Sequence, residues 1–299
     1  MNTLKPERRA AVVRCLVEGN SIRSIVRMTG AAKNTVVKLL VDLGHACAEY
    51  QHKTLQGIGA KRVQCDEVWS FVGCKEKNLP EDRKGEFGRG DVWTWTALDA
   101  DTKLVICWYV GDRDASSAYH FITDLASRLA NRVQLTTDGH KVYLDAVENV
   151  FGADIDYAML VKLYGSDAEG EKRYSPPVCL AAEKTPIAGR PDRKHISTSF
   201  VERANLTARM GMRRFTRLTN AFAKKVENHF CAIALHFMYY NFVRIHQTLK
   251  TTSAIAAGIA DHVWSLEEMV GLLPRNRPTT DKVNDHCHDE RRNPEREHC

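Results

Sequence analysis

The chain has 299 residues, room for about two domains and a sizeable core. With 43% hydrophobic and 27% charged residues, no apolar run near 18 residues and no cleavable leader at the start, it argues against wholesale disorder, a membrane protein and secretion, so a cytoplasmic, nucleoid-associated location is expected. The net charge is +6, and nine cysteines without a C-x-x-C pair signal neither a disulfide framework nor a zinc ribbon.

In chain order, residues 1–45 read as helices only. "ERRAAVVRCLVEG" ends at Gly19, "SIRSIVRMTG" opens on Ser21 and ends at Gly30, and "AKNTVVKLLVDLG" runs to Gly44. Ile22, Val26, Gly30, Val36 and Leu39 fall where a helix-turn-helix needs its packing residues and turn glycine. Lys33, Asn34, Thr35 and Lys38 are left on the exposed side of the last helix, the candidate reader of a major groove. A plain three-helix bundle is the alternative. Residues 46–60 read as a linker.

From Lys61 the texture changes to strands: "RVQCDEVWSFVG", "DVWTWTALDA" and "KLVICWYVGD", with a polar hairpin loop between the first two. A helix "SAYHFITDLASRLA", a strand "RVQLTTDG", a helix "YLDAVENVFG" and a strand "DYAMLVKLYG" follow. Three strands and then alternating helix and strand predict an α/β fold, a mixed five-stranded sheet with helices on its faces. Residues 166–198, polar and Pro-containing, read as a loop. Next come a helix around Glu202, a long helix "AFAKKVENHFCAIALHFMYYNFVRIH", a short helical segment at 261–274 and a disordered tail at 275–299, whose His and Cys residues lack the apolar framework of a metal site.

Chemistry concentrates in two features. Between Arg190 and Lys225 stand ten Lys or Arg, including Arg203, Arg209, Arg213, Arg214 and Arg217, against two acids, which is the footprint of a phosphate-backbone partner. The carboxylates are the other feature. Asp66 lies inside an apolar strand, where an ionised acid is costly unless paired or metal-bound, and Asp138 ends the fourth strand in "LTTDGH". Glu67 is expected on the opposite face from Asp66, because strand side chains alternate. Glu202 follows Ser199 by three residues, the spacing of a capping box. His140, beside Asp138, and His246, in the last turn of the long helix, are candidate neighbours of a site.

Asp66 on a first strand, Asp138 on a fourth and Glu202 on a later helix together resemble the DDE transposases with an RNase H-like catalytic domain, in particular small bacterial insertion-sequence transposases of the insertion sequence 1 type. Arg209, seven residues after Glu202, and "YYNFVRIHQTLKTTSAIAAG" add to the resemblance, although Ser253 stands where a proline is common. The resemblance covers residues 61–258 and implies a catalytic domain over 61–260, preceded by the helix-turn-helix at 1–45. It also implies two Mg2+ ions, replaceable by Mn2+, with Asp66 bridging both and Asp138 and Glu202 each completing one site. DNA, as element ends and target, would be the partner, Arg209 would touch a phosphate near the scissile bond, and the protein would work as a homo-oligomer. A transposase-derived DNA-binding regulator and a structure-selective nuclease on the same fold are the alternatives.

Overall fold

A computed structural model describes residues 4–86, 88–165, 179–215 and 221–274. Three helices open the chain: α1 (Pro6–Val17), α2 (Ile22–Thr29) and α3 (Lys33–Thr54). The Ser21 hydroxyl accepts the Ser24 N–H at 3.1 Å to start α2, and Gly30, in the left-handed region at φ 65°, ends it. The α3 helix does not stop at Gly44. A Cβ there would lie 2.4 Å from Cys231 Cβ, so this glycine permits close approach of a later helix rather than marking a helix end, and residues 46–54 are helix, not linker.

The strands β1 (Arg62–Val72), β2 (Gly90–Asp99), β3 (Val105–Gly111), β4 (Gln134–Asp138), β5 (Asp156–Tyr164) and β6 (Cys179–Ala188) form one sheet in the order β3-β2-β1-β4-β5-β6. β1, β2 and β3 pair antiparallel, β1, β4 and β5 pair parallel, and β6 returns antiparallel on β5. The first five strands have the RNase H-like arrangement. The sixth lies in the stretch expected to be a loop: it is largely exposed, carries Glu183, Lys184 and Pro186, and so has the composition of an edge strand rather than of a buried one. At the start of the opposite edge strand, the Asn241 side chain donates to the Val105 carbonyl at 2.9 Å and accepts the Val105 N–H at 3.0 Å.

Helices α4 (Ala115–Arg128) and α5 (Val142–Phe151) follow β3 and β4. Then come α6 (Ser199–Gly211), α7 (Val226–Met238), α8 (Ser253–Ala256) and α9 (Leu266–Gly271). The long helix expected to reach His246 ends earlier, passing into a π turn at Tyr239–Val243. Val13, Ile25 and Leu43 of the opening helices share one hydrophobic core with Trp95 and Phe121 around the sheet and with Ile233 and Met269 of α7 and α9. The expected tail at 275–299 and part of the expected loop lie outside the described residues.

Candidate metal centre

The parallel pairing of β1 with β4 runs from Arg62–Gln134 to Gln64–Thr136 and stops. Two residues further along each strand, Asp66 and Asp138 therefore face each other across strands that have begun to part. Asp66, Glu67 and Asp138 each offer a carboxylate oxygen, and these oxygens lie within 4.8 Å of one another. Glu67 thus joins the pair, against the expectation from strand alternation. It does start from the other face: its Oε2 accepts the Tyr143 hydroxyl of α5 at 3.1 Å, whereas Asp66 Oδ2 accepts Asn205 Nδ2 of α6 at 2.8 Å. Alternation fixes which face a side chain leaves from, and the parting of β1 and β4 opens the space between to both faces.

Among the described residues, Arg113 is the cation that pairs with these acids. Burial, reinforced by the Asp138 charge, pushes Asp66 up to about 6. Glu67, with its side chain 1% exposed, is pushed up to about 7 by burial and Asp138, against the opposing pull of Arg113, whose Nε donates to Glu67 Oε1 at 2.8 Å. Arg113 Nη2 also lies 3.9 Å from Asp138 Oδ2. His140 holds Asp138 through its backbone N–H, at 3.0 Å from Oδ1, while its ring stacks near Trp95 and is kept toward the neutral form by burial and Arg113. Crowded hard oxygens that resist losing their last protons form a donor set that could hold a metal ion.

Glu202 stands apart from this group. Its Oε1 pairs with Lys162 of β5 and accepts the Thr198 hydroxyl at 2.6 Å, yet it is near enough for its charge to raise Asp66. The capping box with Ser199 is not formed: Thr198 is the cap position and makes no side-chain cap bond. The reason is Gln64, buried in β1 on the same face as Asp66. Its Oε1 accepts the N–H groups of Phe200 and Val201 at 2.9 and 3.1 Å, taking over the work of a cap from across the sheet. Gln64 thereby seats the first turn of α6, and Glu202 with it, above the carboxylates.

The basic residues divide. Arg203 and Arg213 are exposed and Arg209 is half-buried on α6. Arg214 turns inward, its guanidinium pushed down to about 10 by burial and close enough to depress His229, so it does not belong to an open basic face. Arg217 lies outside the described residues. At the start of α3, Lys33, Asn34 and Lys38 are exposed and Thr35 is half-buried; Lys38 pairs with Asp42 at 2.8 Å. The partners of His246 lie in its own stretch of chain. This residue bridges Thr251, lies 3.1 Å from Ser253 Oγ and packs edge-on against Tyr240.

Among solved structures the chain is similar to a piggyBac transposase, seen by cryo-electron microscopy as a synaptic complex with hairpin DNA. The two are 11% identical with a TM-score of 0.36, over 91% of this chain and 71% of that one. No protein-family model and no curated protein matches the chain. Among the described residues no helix is long and apolar enough to cross a membrane.

Sequence reasoning missed Glu67, Arg113, Tyr143 and Lys162 as parts of this neighbourhood. Asn205, one turn beyond Glu202 and so on the same helix face, did carry a signal in its spacing.

Proposed function

We propose that the chain is a DDE-type transposase that cuts DNA at the ends of an insertion sequence and joins the freed 3′-hydroxyls to target DNA. The observation that carries this reading is the group formed by Asp66, Glu67 and Asp138, hard oxygens from adjacent strands gathered within 4.8 Å of one another. Asp66 and Asp138 would hold divalent ions, with Glu202 completing the set when it leaves Lys162. Bound ions of this class act as Lewis acids and lower the pKa of an attacking water or hydroxyl. The chain itself does the rest. Asn205 holds one oxygen of Asp66 in place. Arg203, Arg209 and Arg213, along and beyond α6, attract the DNA backbone. Lys33, Asn34, Thr35 and Lys38 at the start of α3 present the side chains of a major-groove reader. Handling two ends at once calls for a homo-oligomer.

A second reading, a DNA-binding regulator that leaves the centre unused, is favoured by the ion pair that ties Glu202 to Lys162. A strand-transfer assay in Mg2+, on DNA carrying the flanking ends of the gene, separates the two. Joining by the wild type that is lost in Glu202→Gln supports the transposase; binding without cutting by either protein supports the regulator. Cutting that never proceeds to joining would instead indicate a nuclease.

A further inference from the structure

Arg113 sits in the turn between β3 and α4, one residue before Asp114, whose side chain caps α4. Nothing in the carboxylate chemistry above requires it, yet its side chain is held at two points and aimed at a third. Nε donates to Glu67 Oε1 at 2.8 Å, the guanidinium carbon lies 4.7 Å from the centre of the Trp93 ring, and Nη2 stands 3.9 Å from Asp138 Oδ2, too far for a hydrogen bond. The clamp is buried and the clamped group is not: Glu67 is closed off, with Tyr143 on its second oxygen, whereas the Arg113 side chain is 40% exposed. Both oxygens of Glu67 already accept a hydrogen bond, one from Arg113 and one from Tyr143, so within the group it is the member tied to Arg113. A guanidinium carries five N–H donors in a rigid fork, and the bond to Glu67 uses only one.

We propose that Arg113 is a phosphate-binding residue of the centre, its fork taking the non-bridging oxygens of the phosphodiester brought to Asp66 and Asp138. Glu67 is then a positioning residue that holds the fork in place. This rests on the reading of the chain as a DNA phosphodiester-cutting enzyme. It adds a contact to the reacting group that lies on the opposite sheet face from α6, so the phosphate would be gripped from both sides of the parted strands.

The test begins by mapping the cut made by the wild type. Duplexes with either the natural phosphodiester or a neutral methylphosphonate at that position are then compared for binding in Ca2+, an oxygen-liking ion of the same charge. The wild type should bind the methylphosphonate duplex about tenfold more weakly, the size expected for losing a charge-assisted bidentate contact. Arg113→Ala alone would strand the buried Glu67 carboxylate, so the variant used is Arg113→Ala with Glu67→Gln, its folding checked by thermal melting. That variant should bind the two duplexes within about twofold of each other, and Arg113→Lys should fall between, because an ammonium keeps the charge without the fork. The same tenfold discrimination in the double variant would overturn the proposal. Mn2+ binding followed by electron paramagnetic resonance provides a readout independent of DNA. Glu67→Gln should hold Mn2+ within about twofold of wild type while Asp66→Asn weakens it by about tenfold or more. An equal loss in both would make Glu67 a ligand and refute its positioning role. If no cut maps and neither duplex binds, the transposase reading fails and this inference with it; a mapped cut with unchanged discrimination removes Arg113 alone.

Discussion

Asp66 and Glu67 bind protons more tightly in the folded chain than in the unfolded one, and this sets how the protein responds to pH. Their folded values, about 6 and about 7, lie above the ordinary carboxylate range near 4, so the stability they contribute is fully present below about pH 4 and is lost as pH rises through about 7. For Asp66 the loss is about 3 kcal/mol at pH 8. Asp66→Asn keeps an acceptor for Asn205 and removes the charge. In metal-free buffer it should melt at a higher temperature than wild type at pH 8, with the gain shrinking by pH 5; an equal gain at both values would mean that Asp66 is not held protonated by its surroundings. If the chain is the transposase proposed above, the same variant should abolish cleavage while leaving DNA affinity within about twofold, since it would delete a ligand without touching the basic residues. Residual cutting would exclude Asp66 from the chemistry. Asp66 and Asp138 were legible in the sequence because an acid within an apolar strand, or at its end, needs a reason. Glu67 and Arg113 were not: alternation says which face a residue leaves from but is silent on where two strands part.

Between elements, the seat of α6 on β1 matters most. Gln64 holds two N–H groups of the first turn, so Gln64→Leu leaves both without a partner under a packed helix. The expected loss is about 2–4 kcal/mol, read as a lower urea midpoint at unchanged slope. A displaced α6 carries Glu202 with it, so any joining activity should fall further than the lost stability explains. Gly44 makes a second crossing possible. Gly44→Ala should cost at least about 1–3 kcal/mol, because the new methyl meets the Cys231 backbone as well as its side chain. A melting temperature equal to wild type would show that α3 and α7 can shift apart. Both residues were visible in the sequence under the wrong role, Gln64 as one more strand residue and Gly44 as a helix end. The role came from a partner more than a hundred residues away, which no local pattern reports. The sixth strand was hidden for a different reason: an edge strand that must not attract further strands is written in the residues of a loop.

At the scale of the whole molecule, the order of the first five strands and the helices between them could be read from texture alone, but the relation of the opening helices to the rest could not. Val13, Ile25 and Leu43 share the core with α7 and α9, so removing residues 1–45 would expose that core and unfold the chain rather than isolate a recognition function. Point changes are the proper probe. Arg203→Ala with Arg213→Ala should lower the slope of log affinity against log salt by about 2 and weaken all sequences alike, while Lys33→Ala with Asn34→Ala should lessen the preference for the element's own ends. An unaltered salt slope would show that α6 and the turn after it do not meet DNA. The α3 helix is uninterrupted from Lys33 to Thr54. Its 22 residues make a rod about 33 Å long, roughly the rise of ten base pairs, rooted against α7 at one end and carrying the exposed Lys33 and Asn34 at the other. A rod of fixed length is a ruler. If its tip reads sequence, the cut falls at a measured offset from the bases read, so five base pairs inserted between the two should leave binding intact and stop the cutting.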